Sequence, residues 1–114
     1  MALILWHNPR CSKSRQALAL LQERGADVTL RRYLDDAPSL AELQAVQAAL
    51  DLPVIAMMRT GEAAFKEMAL SRDDDDATLL AAMAENPKLI ERPVLISGSQ
   101  AVIGRPPERV LELL

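Results

Sequence analysis

Leu3-Ile4-Leu5-Trp6-His7-Asn8-Pro9-Arg10-Cys11-Ser12-Lys13-Ser14-Arg15 is the stretch from which the fold can be read. Its first four residues form an apolar run of strand length. His7-Asn8-Pro9-Arg10 breaks the run, and Pro9 biases Asn8 away from helix, so the chain turns just before Cys11. Strong helix formers dominate from residue 12 to residue 24. Ala17, Leu18, Leu20 and Leu21 supply an apolar stripe, and Gly25 is a natural stop. Val28-Thr29-Leu30-Arg31 then alternates as a half-buried strand does, with Tyr33 and Leu34 just after it. Strand, helix and strand within about 30 residues make a βαβ unit, which predicts two parallel strands.

Working outward, Ser39 followed by Glu42 is a capping box, and Leu40, Leu43, Val46 and Leu50 mark the face of the helix it opens. Pro53 ends that segment or opens the next one, and residues 53–70 read as one or two short helices. The acidic run Asp73-Asp74-Asp75-Asp76 precedes a helix over residues 77–85 with Leu79, Leu80 and Met83 inward, stopped by Asn86-Pro87. Val94-Leu95-Ile96 and Ala101-Val102-Ile103 flank the turn Ser97-Gly98-Ser99-Gln100, a hairpin pattern. Pro106 or Pro107 opens a last helix carrying Val110, Leu111 and Leu114. The order βαβ, helices, ββα predicts an α/β protein of thioredoxin-like fold, with a helical insertion at about residues 37–87. Residues 1–114 are read as a single domain.

Composition narrows the chemistry. The chain has 114 residues with one cysteine and one histidine. An intramolecular disulfide and a Cys₄, Cys₂His₂ or His₃ zinc site are therefore excluded. Any sulfur that resolves Cys11 must come from another molecule. A net charge of −3 and aromatics limited to Trp6, Tyr33 and Phe65 argue against nucleic-acid binding. Residues 2–6 lack the basic flank and length of a signal peptide, and no stretch has the ~18 apolar residues of a membrane span. The expectation is a cytoplasmic protein with a reduced thiol, no membrane contact and no bound cofactor.

Cys11 stands where a strand hands over to a helix. Free N–H groups and the helix dipole favour an anion there, so the thiol pKa should fall and the reactive thiolate form. Arg10, Lys13 and Arg15 add positive charge nearby, and Ser14 occupies the Cys-x-x-Ser position, from which a hydroxyl can point back to the sulfur. A phosphatase-type phosphate loop would need an arginine at position 17, which is Ala17; a two-cysteine redox loop would need a cysteine at position 14. A monothiol remains. Asp73-Asp74-Asp75-Asp76 has no EF-hand spacing and reads as the acidic start of a helix, not as a metal site.

The segment from His7 to Arg15 resembles the active-site segment of the glutaredoxin-linked arsenate reductase (ArsC) family. Met57-Met58-Arg59-Thr60, Asn86-Pro87-Lys88-Leu89-Ile90-Glu91-Arg92-Pro93-Val94 and Ile103-Gly104-Arg105-Pro106-Pro107-Glu108-Arg109-Val110-Leu111 are similar to its three arginine motifs, so the likeness spans essentially the whole chain. The resemblance implies that Cys11 attacks arsenate to form a thiol–arsenate adduct. Glutathione, as co-substrate, then reduces the adduct, and glutaredoxin clears the cysteine–glutathione mixed disulfide. It assigns Arg59, Arg92 and Arg105 to oxyanion binding, a task suited to arginine's planar, bidentate fork. It also places a cis-proline at Pro93, facing the cysteine. His7 either helps to depress the thiolate's pKa or caps the strand end. Asn8 is a candidate for hydrogen bonding within the loop. Arg15, with Arg10 and Lys13, either attracts anionic substrate or lies on a solvated helix face.

Ser12-Lys13 stands where better-known arsenate-resistance members carry Gly-Thr, and the chain stops at Leu114, so it resembles the short, arsenate reductase-like branch. Two alternatives share the fold: a thiol oxidoreductase acting on another oxyanion or on a glutathione mixed disulfide, and an Spx-like regulator that binds RNA polymerase. Ser14 in place of a second cysteine argues against the latter.

Overall fold

The computed structural model describes residues 2–114. Four strands, β1 (Leu3–Trp6), β2 (Val28–Arg31), β3 (Val94–Ser97) and β4 (Gln100–Ile103), form one sheet in the order β2-β1-β3-β4. β1 and β2 are parallel, as the βαβ reading requires; β3 is antiparallel to both β1 and β4. The hairpin is tighter than the sequence suggests: Ser97 and Gln100 pair, leaving Gly98 (φ 59) and Ser99 as a two-residue turn.

Side chains alternate across the sheet and build two cores. Leu3, Leu5, Leu95 and Val102 point to the face covered by α1 (Ser12–Glu23) and the C-terminal segment, where they meet Ala17, Leu21 and Val110. Trp6, Val94 and Ile103 point to the other face, beneath the helical insertion, with Leu43, Val46, Leu79 and Met83. The insertion comprises α2 (Leu40–Leu50), α3 (Ala63–Glu67) and α4 (Asp76–Glu85), joined through 3₁₀ turns at Val54–Met57 and Pro87–Leu89. Its caps are those the sequence indicates. Ser39 and Glu42 form the reciprocal capping box, and the Asp75 carboxylate accepts the Thr78 N–H at 2.8 Å. α1 ends in a Schellman motif, with Gly25 at φ 68 and the Ala26 N–H bonded to Leu21 O at 3.0 Å.

Three expectations need correction. β2 is not half-buried: Thr29 is exposed and Leu30 is 42% exposed, because β2 is an edge strand and α2 leans towards β4. Leu40, at the first turn of α2, is 42% exposed rather than inward. The last helix is 3₁₀ throughout, Pro107–Leu113. Its three-residue period puts Pro107, Val110 and Leu113 on the core side and leaves Leu114 53% exposed.

The third and fourth strands meet the C-terminal segment at a close approach. The Gly104 N–H donates to Pro93 O at 2.9 Å. A Cβ at position 104 would lie 2.8 Å from Pro93 Cγ and 2.9 Å from Val110 Cγ1. Gly104→Ala is therefore expected to destabilise the protein by about 1–3 kcal/mol through overpacking. The measurement is the urea midpoint at unchanged m-value.

Candidate active site

Parallel pairing continues one residue past β1, where the His7 N–H donates to Arg31 O at 2.8 Å. The loop then closes on itself. The Arg10 N–H donates to the Asn8 side-chain carbonyl and the Cys11 N–H to Asn8 O, both at 3.0 Å. Cys11 is the N-cap residue of α1, extended at φ −93 and ψ 123, 9% exposed, and its side chain makes no capping bond. The sulfur thus sits at the helix N-terminus, largely buried.

Two effects compete for its proton. Burial raises the Cys11 pKa; the Ser14 N–H, the Arg92 charge and the Lys13 N–H lower it, and the lowering wins. The Arg92 guanidinium faces the sulfur and favours the thiolate both by its charge and by a side-chain hydrogen bond, while its buried Nε has no partner among the described residues. The helix-terminus argument thus holds at Ser14 and Lys13. The decisive cation is Arg92, and Arg10, Lys13 and Arg15 do not supply it.

The Ser14 hydroxyl does not point back to the sulfur. Ser14 is wholly buried, and its Oγ accepts the Asn8 N–H at 3.0 Å and lies 2.7 Å from His7 Nδ1. Its backbone, not its side chain, meets Cys11. His7, 4% exposed, has its pKa lowered by burial and then by Arg32 and Arg15. A neutral imidazole tying strand end to helix start is the structural role the geometry shows. Arg15 folds back onto Pro9 O at 2.9 Å.

The three arginine motifs converge. The Arg59 N–H donates to Leu89 O at 2.8 Å and the Glu91 N–H to Met57 O at 2.7 Å, flanking an antiparallel bridge between Met58 and Ile90. Arg105 Nη1 donates to Arg92 O at 3.1 Å. Together they line a cleft of about 400 Å³ with Met58, Thr60, Gly61, Glu62 and Glu91. Cys11 does not line that cleft; Arg92 links the two. Pro93, preceded by a cis peptide bond, follows directly at the start of β3; Arg105-Pro106 is cis as well, which the sequence did not indicate. His7 and Asn8 border a separate hollow with Pro9, Arg10, Arg32, Leu34 and Asp35. A larger apolar groove of about 470 Å³ between β2 and α2 is lined in part by the Arg31–Glu42 ion pair and holds no cysteine. Among the described residues no three His, Cys, Asp or Glu side chains gather as metal ligands.

Sequence reasoning missed Tyr33. It is 1% exposed, and its pKa is pushed up to about 12, by burial first, against the pull of Arg92 and Arg59 and with an added push from Cys11; the Asn8 side chain is within hydrogen-bonding reach. The available signal was its position just past β2, beside the residue that follows β1. Glu62 and Glu91 were also missed; the i,i+3 spacing of Arg59 and Glu62 and the adjacency of Glu91 and Arg92 were available signals, whereas the pairing of Glu91 with Arg105 was not.

A single free cysteine with a lowered pKa at the strand–helix junction of a thioredoxin-like fold, beside converging arginines, defines the class. The sequence model of the ArsC family matches residues 6–113, and the chain belongs to that family. It is 45% identical to a Haemophilus influenzae protein named arsenate reductase, over 100% of both chains. It is 42% identical to one of that name from Neisseria meningitidis, over 96% of each. A solved structure described as an arsenate reductase from Vibrio cholerae superposes with a TM-score of 0.95 at 48% identity, covering 100% of this chain and 98% of that one.

Two outcomes follow from the geometry. Alkylation of Cys11 by iodoacetamide should rise with a pH midpoint below that of a free cysteine, and Arg92→Gln should move the midpoint up, because it removes a cation that favours the thiolate. Ser14→Ala should destabilise the fold by about 1–3 kcal/mol, since the buried Asn8 N–H and His7 Nδ1 lose their shared partner. Chemical denaturation measures it.

Proposed function

We propose that the protein is an arsenate reductase that uses one cysteine of its own and draws the second sulfur from glutathione. The observation that carries this reading is the double placement of Arg92. Its guanidinium faces the Cys11 sulfur, and the same side chain lines the cleft shared by Arg59 and Arg105. An oxyanion bridging these groups would satisfy the buried Nε and stand within reach of the thiolate.

In the proposed reaction the Cys11 thiolate attacks arsenic(V) and an oxygen leaves as water after protonation, giving a thiol–arsenate adduct. The arginines stabilise charge developing on the arsenate oxygens. The thiolate of glutathione then attacks the Cys11 sulfur. The sulfur–arsenic bond breaks, its electron pair stays on arsenic, and arsenite departs. The two sulfurs together lose two electrons, and arsenic(V) becomes arsenic(III). Glutaredoxin reduces the resulting mixed disulfide. No bound cofactor takes part. A free thiolate of this kind needs a reducing compartment, which we take to be the cytoplasm.

The test is arsenite formation from arsenate with glutathione, glutaredoxin and its reducing system. The parent protein should turn over and Cys11→Ser should be inactive. Arg92→Gln and Arg105→Gln should each lose about 10²–10³-fold in kcat/KM, by analogy with removed oxyanion donors. A parent without turnover that keeps its low Cys11 pKa would refute arsenate as substrate and move the reading to another oxyanion or a mixed disulfide. Capture of RNA polymerase would favour the regulator.

A further inference from the structure

We propose that Glu91 is an internal carboxylate ligand of the arginine cleft, displaced when an oxyanion enters, and that it weakens and filters anion binding there. This rests on the oxyanion reading of the cleft given above.

The geometry is that of a tethered competitor. Glu91 Oε1 lies 3.2 Å from Arg92 Nη1 and 3.6 Å from Arg105 Nε, so one oxygen bridges two of the three arginines. The same oxygen accepts the Arg92 backbone N–H at 3.3 Å. At Arg59 the Glu62 carboxylate does the equivalent at 3.1 Å. Three guanidiniums and two carboxylates face one another across a cleft of about 400 Å³, which leaves it a single net positive charge.

A structural purpose for Glu91 is poorly supported by its surroundings. Arg105 is already held by Arg92 O, and the Glu91 main chain is fixed through Met57 O. The side chain is 23% exposed, so the ion pair is partly screened and open to exchange. A planar carboxylate presents two oxygens, and here one of them makes every contact. A tetrahedral dianion has more oxygens and more charge to offer Arg59, Arg92 and Arg105 together, so it can displace Glu91, whereas a small monoanion is outcompeted.

The experiment measures protection of Cys11 from iodoacetamide by inorganic phosphate, a tetrahedral oxyanion that thiols do not reduce. Parent, Glu91→Gln and Glu91→Ala are titrated, with thermal melts showing that each is folded. Both variants should be half-protected at roughly two- to fivefold lower phosphate than the parent, the scale of a partly exposed ion pair removed from competition. Acetate, ineffective on the parent, should begin to protect both variants. Unchanged or weaker phosphate protection in the folded variants would overturn the inference, because Glu91 would then merely hold the arginines in place. If neither phosphate nor arsenate protects the parent, the oxyanion reading of the cleft falls and this inference with it. Protection of the parent without tightening in the variants sinks only the present one.

Discussion

The buried hydroxyl of Ser14 fixes the geometry on which the site depends. By bonding the Asn8 N–H and His7 Nδ1 it clamps the end of β1 to the first turn of α1. Cys11 lies between those two points, and its sulfur is left facing the N–H groups of Lys13 and Ser14. The clamp is buried, and burial, Arg32 and Arg15 lower the pKa of its histidine and favour the neutral ring. A hydroxyl does this well, because it accepts from a main-chain N–H while meeting a ring nitrogen. A second cysteine at position 14 would supply a weaker partner to both groups. The serine therefore has a structural duty in this loop.

Around that clamp the protein separates two electrostatic tasks. The thiolate is favoured locally, by two main-chain N–H groups and one guanidinium acting against burial. The cleft holds its arginines through long-range contacts: the bridge between Met58 and Ile90, and the bond from Arg105 to Arg92 O. Arg92 belongs to both. Its position beside Pro93, at the start of a central strand, makes it the element through which the two halves of the site are aligned.

Much of this architecture was legible from the chain. The strand–loop–helix start, the parallel second strand, the capping box at Ser39, the hairpin and the helical insertion all follow from short-range patterns, and the structure places them where those patterns do. Errors arose where burial depends on neighbours distant in sequence. Leu30 looks inward by alternation, yet the edge position of β2 leaves it uncovered. Leu114 fits an α-helical period, yet the final segment is 3₁₀ and turns it outward. The Ser14 hydroxyl could have met the sulfur by spacing alone; the parallel ends of β1 and β2 bring His7 and Asn8 to it first.

The sequence by itself determined which sulfur the site can use, because the chain has one cysteine, and it placed that cysteine at a strand–helix junction where helix-terminal N–H groups act within one turn. It also determined which residue types could hold an oxyanion. Only the tertiary structure decided how those residues are paired: that Arg92, rather than the cations next to Cys11, reaches the sulfur, that Tyr33 is buried beside it, and that Glu62 and Glu91 already occupy the arginines. Electrostatic interaction depends on separation in space, and segments distant along the chain come within a few ångströms only when the sheet and its insertion close over one another.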